Sequence, residues 1–198
     1  MTLYAVKPAF QRLLRPLVGR LARAGVTANA VTLAAAGLSV ALGVVLALTL
    51  ARWAFALLPA LLLLRMALNA VDGMLAREYN QQSRLGAYLN ELADTVSDAA
   101  LYLPFALLPG GWPAAVLVAL ALTGELAGVL GQTQGAGRRY DGPLGKSDRA
   151  LLFGVLALLL AGGLAPGLWL TVTLLLACAL CLLGVVNRVR AGLRGGRA

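Results

Sequence analysis

Two pairs of polar side chains stand at helical spacing in a chain that is otherwise strongly apolar. Asn69 and Asp72 are three residues apart and Asn90 and Asp94 are four apart, so each pair shares one face of a helix. Oxygen ligands without histidine or cysteine suit Mg²⁺, Mn²⁺ or Ca²⁺ rather than zinc, and the chain has no histidine. Because Mg²⁺ held by few carboxylates usually completes its shell with substrate phosphates, the spacing predicts a site for a phosphorylated substrate.

The residues between the two pairs also favour a ligand site. Gly73 and Gly86 would let a flat ligand approach the backbone, and Arg77 would face a phosphate at the membrane surface. The alternative is a purely structural cluster that joins two helices, formed by Arg65, Asn69, Asp72 and Asp94. Such a cluster does not explain the glycines and the arginine, so the ligand site is the preferred interpretation.

The elements that position these pairs are predicted to be membrane-spanning helices. The chain has 198 residues, of which 60% are hydrophobic, and its mean hydropathy is +0.82. Three segments carry no charged residue, and each exceeds the roughly 20 residues that cross a bilayer: 27–51, 99–124 and 150–187. The sequence therefore predicts an all-α integral membrane protein.

Turn residues and charges divide the apolar segments into six predicted transmembrane helices. The first four cover about residues 29–50, 53–78, 85–108 and 114–135. Glycines and a proline at 162–167 divide the last apolar segment into the fifth and sixth. A single domain is predicted for 1–198, with an interfacial helix in 1–25, a six-helix bundle in 26–190 and a basic tail in 191–198.

The N-terminal segment has the pattern of an amphipathic helix. Its apolar residues recur at steps of three and four, at Leu3, Val6, Phe10, Leu13, Leu14, Leu17 and Leu21. Basic residues fall mostly between them, which is typical of a helix that lies on an anionic membrane surface. Packing against the rest of the protein is the alternative interpretation.

The basic residues also predict the orientation in the membrane. Sixteen of the seventeen Lys and Arg lie on one side of the predicted spans, if Arg65 is assigned to that side. Both termini and the polar segment are therefore predicted to be cytoplasmic. This distribution accounts for the net charge of +9 without nucleic acid, for which the sequence carries no motif.

Two further patterns lie in the later spans. Cys178 and Cys181 are predicted to be buried thiols rather than zinc ligands, because the chain has no other Cys and no His. Gly124, Gly128 and Gly131 form a small-residue face suited to close helix approach. No internal repeat is seen, so a transporter is supported by the span count alone.

Residues 69–94 resemble the signature of the CDP-alcohol phosphotransferase family, D-x2-D-G-x2-A-R-x8-G-x3-D-x3-D. The corresponding positions, with every spacing kept, are Asn69, Asp72, Gly73, Ala76, Arg77, Gly86, Asn90 and Asp94. The segment "VTANAVTLAAAGLS" is similar to the family's TPN-x-hydrophobic-T motif, and the resemblance covers nearly the whole chain. The segments "RMALNAVDGMLARE", "GAYLNELADTVSDAALYLPF" and "GPLGKSDRA" are most similar to an inner-membrane member of enteric bacteria.

The resemblance implies a reaction and its partners. A substituted phosphate, usually phosphatidyl from CDP-diacylglycerol, is transferred to an alcohol acceptor, and CMP is released during phospholipid synthesis. One or two Mg²⁺ or Mn²⁺ ions are implied as cofactors. The implied setting is a bacterial inner membrane, where the protein is surrounded by membrane lipids and forms a homodimer whose active sites each lie within one protomer.

The resemblance also implies the roles of individual residues. Metal would be held at Asn69, Asp72, Asn90 and Asp94, and Asp94 would also act as the base on the acceptor hydroxyl. The cytidine diphosphate would be held by Asp72, Gly73, Ala76, Arg77 and Gly86. Lys146 and Arg149 would contact donor or acceptor phosphate, with a role in membrane topology alone as the alternative.

The two amides are the departure from the signature. Four carboxylates balance two divalent ions, whereas Asp72 and Asp94 alone balance one. The site could bind one metal ion or two weakly, or it could gain charge from Glu91, Asp98 or Glu125. Catalysis could also be lost, which would leave a silent homologue that binds CDP-lipid or scaffolds partner enzymes. The retained Asp72, Asp94 and Arg77 favour a functional variant.

Overall fold

The computed structural model describes residues 7–195, and the described residues form seven α helices and one 3₁₀ helix, with no strand. These are α1 Lys7–Arg23, α2 Ala28–Thr49, α3 Arg52–Glu78, α4 Arg84–Tyr102, the 3₁₀ helix Leu103–Leu107, α5 Pro113–Thr133, α6 Lys146–Ala161 and α7 Leu168–Gly195. The prediction of an all-α fold is confirmed. The start of the predicted interfacial helix, with Leu3 and Val6, and the end of the predicted tail lie outside the described residues.

Four of the described helices are long and apolar enough to cross a membrane, namely α2, α3, α5 and α7. The other two helices at predicted spans differ for physical reasons. The α4 helix carries one basic and three acidic residues within its 19 positions, and α6 has only 16 residues. A multi-pass membrane protein is therefore supported, whereas six crossings and cytoplasmic termini stay predictions.

The chain divides into two compact units. The first unit contains the described residues up to 41 together with 60–97, and the second contains 42–59 and 98–195. The signature residues 69–94 all belong to the first unit. That the whole chain acts as a single domain stays a prediction.

In the first unit, α1 packs through one face on α2 and α3. Val18 is fully buried in a cluster with Val31, Val71, Met74 and Leu75, with further apolar side chains around them. The opposite face leaves Leu13 and Leu17 exposed. Both interpretations of the amphipathic pattern therefore stay open, because one face packs on the protein and another presents apolar side chains.

Arg15 fixes the outer side of α1 to the end of α3. Its Nη2 donates a hydrogen bond to Glu78 Oε1 over 2.9 Å, and this bond is the main cause that raises the pKa of Arg15. Both side chains are more than one-third exposed. Solvent screens an exposed pair of this kind, so α1 is held mainly by its apolar contacts.

The segment between α3 and α4 is held against the start of α2. Gln81 Oε1 accepts a hydrogen bond from the Ala28 amide over 2.6 Å, and Gln81 Nε2 donates to the Val26 carbonyl over 3.4 Å. Ser83 precedes α4, and its hydroxyl accepts from the Gly86 amide over 2.9 Å, as an N-cap does. These bonds determine where α4 begins relative to α2.

In the second unit, α5 lies along α7. A Cβ added at Gly124 would lie 3.5 Å from Arg188 Nη1, and one added at Gly128 would lie 2.6 Å from the Arg139 carbonyl oxygen. The small-residue face of α5 is thus used for close contact within the unit. Cys178 and Cys181 are buried free thiols, as predicted, and homodimerisation stays a prediction.

The α4 helix ends earlier than the sequence pattern indicated. The predicted span ran to residue 108, but α4 ends at Tyr102 and is followed by the 3₁₀ helix. Pro104 stands in the first turn of that helix. Proline lacks the amide hydrogen that a continuing α helix needs, which accounts for the change of helix type.

Candidate active site

A pocket of about 800 Å³ lies in the first unit. It is lined by residues of α2, α3 and α4, by the segment between α3 and α4, and by Gln11 of α1. Seven signature positions contribute to its wall: Asn69, Asp72, Gly73, Ala76, Arg77, Gly86 and Asn90. The structure thus brings together residues that the sequence places on two helices.

Asp72 is a buried carboxylate on the wall of this pocket. The residue is 5% exposed, and its Oδ2 accepts a hydrogen bond from the Thr32 hydroxyl of α2 over 2.7 Å. A buried charge needs such partners, because its transfer from water is otherwise costly. Thr32 therefore fixes the carboxylate that the signature assigns to metal and nucleotide.

Asp94 lies beside the pocket, where α3 and α4 meet. Its Oδ1 accepts a hydrogen bond from Asn69 Nδ2 over 3.0 Å and lies 3.5 Å from Arg65 Nη2. Arg65 Nη2 also donates to the main-chain oxygen of Asp94 over 3.3 Å. The Asp94 side chain is 28% exposed and that of Arg65 is 5% exposed. The expectation that the two polar faces meet is confirmed.

The two signature glycines make room for polar side chains. A Cβ at Gly73 would lie 2.9 Å from Arg77 Nη2, so the guanidinium lies over the backbone at that position. A Cβ at Gly86 would lie 2.9 Å from Asn29 Oδ1. In both cases a larger residue would displace a polar group that lines the pocket.

The pocket wall contains few acidic residues. Among the described residues that line it, Asp72 is the only acid, and Arg77 and Arg84 are the two bases. Six more lining residues carry amides: Gln11, Asn29, Asn69, Gln81, Gln82 and Asn90. The three acids considered as replacements do not line this pocket: Glu91, Asp98 and Glu125. The lining of the pocket therefore does not support the hypothesis that these acids replace the negative charge missing at Asn69 and Asn90.

Thr32, Asn29 and Gln81 were not assigned roles from the sequence. The sequence could have indicated two of them, because Asn29 and Thr32 both lie in the motif-like segment "VTANAVTLAAAGLS" at the start of the first apolar run. Gln81 had no such signal. It lies in a polar segment, and its partners Val26 and Ala28 are more than 50 positions away.

Arg149, predicted to contact a substrate phosphate, lies in a buried ionic cluster of the second unit. Its Nη2 is 3.2 Å from Asp98 Oδ2 and 3.1 Å from Glu125 Oε1, and its side chain is 3% exposed. Glu125 is also 3.0 Å from Arg138 and 3.4 Å from Arg188. The guanidinium is therefore already bound to two carboxylates. Lys146, the other predicted phosphate contact, is the first residue of α6.

The oxygen donors of the pocket fit a hard divalent cation. In the part of the chain that the structure describes, no three or more His, Cys, Asp or Glu residues group around a possible metal position. Asp72 and the amide oxygens of the pocket nevertheless provide the oxygen ligands that Mg²⁺ and Mn²⁺ prefer. One carboxylate with neutral oxygens suits an ion that takes the rest of its shell from phosphates and water.

The helical fold and the signature-lined pocket define the class of protein. The family model of CDP-alcohol phosphatidyltransferase matches residues 25–186. The chain therefore belongs to the CDP-alcohol phosphatidyltransferase family, which confirms the resemblance seen in residues 69–94.

Particular relatives are similar over nearly the whole chain. The inner membrane protein YnbA of Escherichia coli is 49% identical over 193 residues, which cover 96% of each chain. Phosphatidylinositol phosphate synthase of Mycobacterium tuberculosis in complex with manganese and citrate has a TM-score of 0.74 at 20% identity, over 90% of this chain and 88% of that one. The same enzyme with CDP-DAG bound gives 0.71 at 22% identity, over 91% and 94%. These two structures share the fold.

Proposed function

We propose that the protein transfers a phosphatidyl group from a CDP-linked lipid, such as CDP-diacylglycerol, to an alcohol acceptor and releases CMP. The observation that supports this most directly is the convergence of seven signature positions on one pocket, with Asp94 held beside it. Family membership supports the reaction class. The phosphatidylinositol phosphate synthase of Mycobacterium tuberculosis, which shares the fold, has a structure with CDP-DAG bound, and this supports a CDP-lipid as donor.

Arg77 and Asp72 would define the donor end of the site. Arg77 lies over Gly73 and presents two guanidinium nitrogens near the pocket wall. A guanidinium is suited to bidentate contact with phosphate oxygens. With Ala76 and Gly86 also on the wall, the pocket would hold the cytidine diphosphate close to the backbone.

One divalent ion, Mg²⁺ or Mn²⁺, would be held by Asp72 and Asn90. Such an ion supplies Lewis-acid polarisation of the phosphoryl oxygens and neutralises charge on the diphosphate. The manganese complex of the Mycobacterium tuberculosis synthase supports a divalent cofactor. Asn69 and Asp94, the other two signature positions for metal, are hydrogen-bonded to each other.

Asp94 would take the proton of the acceptor hydroxyl. The alcohol oxygen forms a bond to the phosphorus of the phosphatidyl group, the phosphoanhydride bond breaks, and the electron pair leaves with CMP. The chain has no histidine to act as base, and a carboxylate within reach of the hydroxyl is a suitable acceptor. Both Arg65 and Asn69 donate to the carboxylate and so orient it.

The setting we propose is the bacterial inner membrane, with the termini cytoplasmic and the chain in a homodimer. The similarity to an inner membrane protein supports that location, and the basic residues support the orientation. Lys146 is proposed to contact a substrate phosphate. Arg149 could do so only by exchanging Asp98 or Glu125 for the substrate.

The test is CMP release by the purified protein. CDP-diacylglycerol, Mg²⁺ or Mn²⁺ and a panel of alcohols are supplied, and we expect CMP only when donor, metal and one class of alcohol are all present. The low acid content of the pocket favours one second candidate, a silent homologue that binds CDP-lipid. Saturable nucleotide binding without CMP release from any alcohol would support that second candidate instead.

A further inference from the structure

Asn69 and Asn90 replace signature aspartates in different surroundings. Asn69 is partly buried, and its Nδ2 lies 3.0 Å from Asp94 Oδ1. Asn90 is exposed on the pocket wall. The same change of residue type therefore has different physical consequences at the two positions.

The contact between Asn69 and Asp94 requires an amide. An ionised carboxylate accepts hydrogen bonds and donates none, so it is the N–H side of Asn69 that faces Asp94 at this distance. Arg65 Nη2 approaches the same oxygen at 3.5 Å. Asn69 and Arg65 are one helical turn apart on α3, and together they hold the carboxyl of α4 with two donors.

An aspartate at position 69 would reverse the sign of this contact. Two carboxylates at hydrogen-bond distance repel unless they share a proton or a cation lies between them. The amide N–H of Asn69 attracts the Asp94 carboxylate without a shared proton and without an intervening cation. With an aspartate at this position the site would need a shared proton or a cation in addition to Arg65, whereas the amide of Asn69 needs neither.

We propose that Asn69 is a positioning residue for Asp94, whose amide N–H takes the place of the shared proton or cation that an aspartate would require. The role of Asp94 as base rests on the proposed function, but the pairing itself does not depend on turnover. Asp94 is then oriented before any metal binds. The single metal ion of the site is left to Asp72 and Asn90.

The first test exchanges the two partners. Wild type, Asn69→Asp and the double variant Asn69→Asp with Asp94→Asn are purified in detergent. The apparent midpoint of thermal unfolding is measured in EDTA and in excess Mn²⁺. Asn90→Asp is the matched control, since it makes the same change at the exposed amide.

In EDTA we expect Asn69→Asp to unfold about 5 °C or more below wild type, because a hydrogen bond to a charge is replaced by repulsion. Excess Mn²⁺ should recover most of this loss. The double variant restores a carboxylate–amide pair and should unfold near wild type in EDTA, as should Asn90→Asp. Equal midpoints for Asn69→Asp and wild type in EDTA, or no recovery in the double variant, would overturn the proposal.

A second variant keeps the test decisive if Asn69→Asp does not fold. Asn69→Leu removes the donor without adding charge, and calorimetry should show Mn²⁺ affinity close to wild type, whereas Asp72→Asn should weaken it at least tenfold. With an active enzyme, Asn69→Leu should lower kcat about tenfold or more and leave KM for the donor unchanged. Equal loss of Mn²⁺ affinity in Asn69→Leu and Asp72→Asn would make Asn69 a ligand. Absence of CMP release from wild type would count against the proposed function alone, because unfolding and metal binding are measured without turnover.

Discussion

Replacement of Arg149 by methionine should destabilise the second unit strongly. Methionine keeps much of the arginine stem and removes the guanidinium that binds Asp98 and Glu125. Glu125 keeps Arg138 at 3.0 Å and Arg188 at 3.4 Å. The main cost therefore falls on Asp98, whose side chain is 9% exposed.

The size of the effect follows from the burial of this carboxylate. Removing one partner of a buried ion pair costs about 3–5 kcal/mol, because the other charge remains in a medium that solvates it poorly. Because Arg138 and Arg188 still pair with Glu125, we expect the cost of Arg149→Met to lie near the lower end of this range. For a chain of this size, about 3 kcal/mol lowers the unfolding midpoint by roughly 6–12 °C.

Thermal unfolding in one detergent at one scan rate measures the difference. Arg139→Met is the matched control, because Arg139 pairs with Asp141 through side chains that are 28% and 39% exposed. Such a pair contributes at most about 1 kcal/mol. Adding Asp98→Asn to Arg149→Met should recover much of the loss, since the buried carboxylate that lost Arg149 is then replaced by a neutral amide. If Arg149→Met unfolds within about 2 °C of Arg139→Met, the buried ionic cluster does not have the energetic role described.

Three further changes act on the pocket of the first unit. Asp94→Asn should abolish CMP release and leave nucleotide binding largely intact, because the base is lost and the pocket wall is not; wild-type turnover would remove Asp94 from that role. Asn90→Asp should tighten Mn²⁺ binding at least tenfold in calorimetry, since a charge about 4 Å from the ion is worth a few kcal/mol before desolvation; unchanged affinity would mean that Asn90 is not at the ion. Thr32→Val should lower the unfolding midpoint in EDTA by about 3–10 °C, because Asp72 loses its 2.7 Å donor; an unchanged midpoint would show that Thr32 does not stabilise Asp72.

Local patterns in the sequence were sufficient to predict which polar faces meet. The spacing of Asn69 with Asp72 and of Asn90 with Asp94 placed each pair on one helix face, and a short connection brought α3 and α4 together. The helix breaks at glycine and proline were equally local. These features depend on residues within one or two turns of each other, which a single sequence displays directly.

Contacts between distant segments were not predictable in the same way. Thr32 and Asp72 are 40 positions apart, and Arg149 and Asp98 are 51 apart. A basic residue such as Arg149 gives the same signal whether it binds substrate, sets topology or pairs with a buried acid. Only the packing that brings Asp98 and Glu125 to it distinguishes these roles.

The most direct test of the proposed transfer follows both products in one reaction. Purified protein is supplied with CDP-diacylglycerol, Mn²⁺ and an alcohol from the panel that gives CMP, and CMP and the phosphatidyl alcohol are quantified by mass spectrometry beside Asp72→Asn. We predict equimolar CMP and phosphatidyl alcohol from wild type, dependent on both metal and alcohol, and a large loss in Asp72→Asn. Donor that binds saturably yet yields neither product with any alcohol or metal would contradict the assignment as a phosphatidyltransferase.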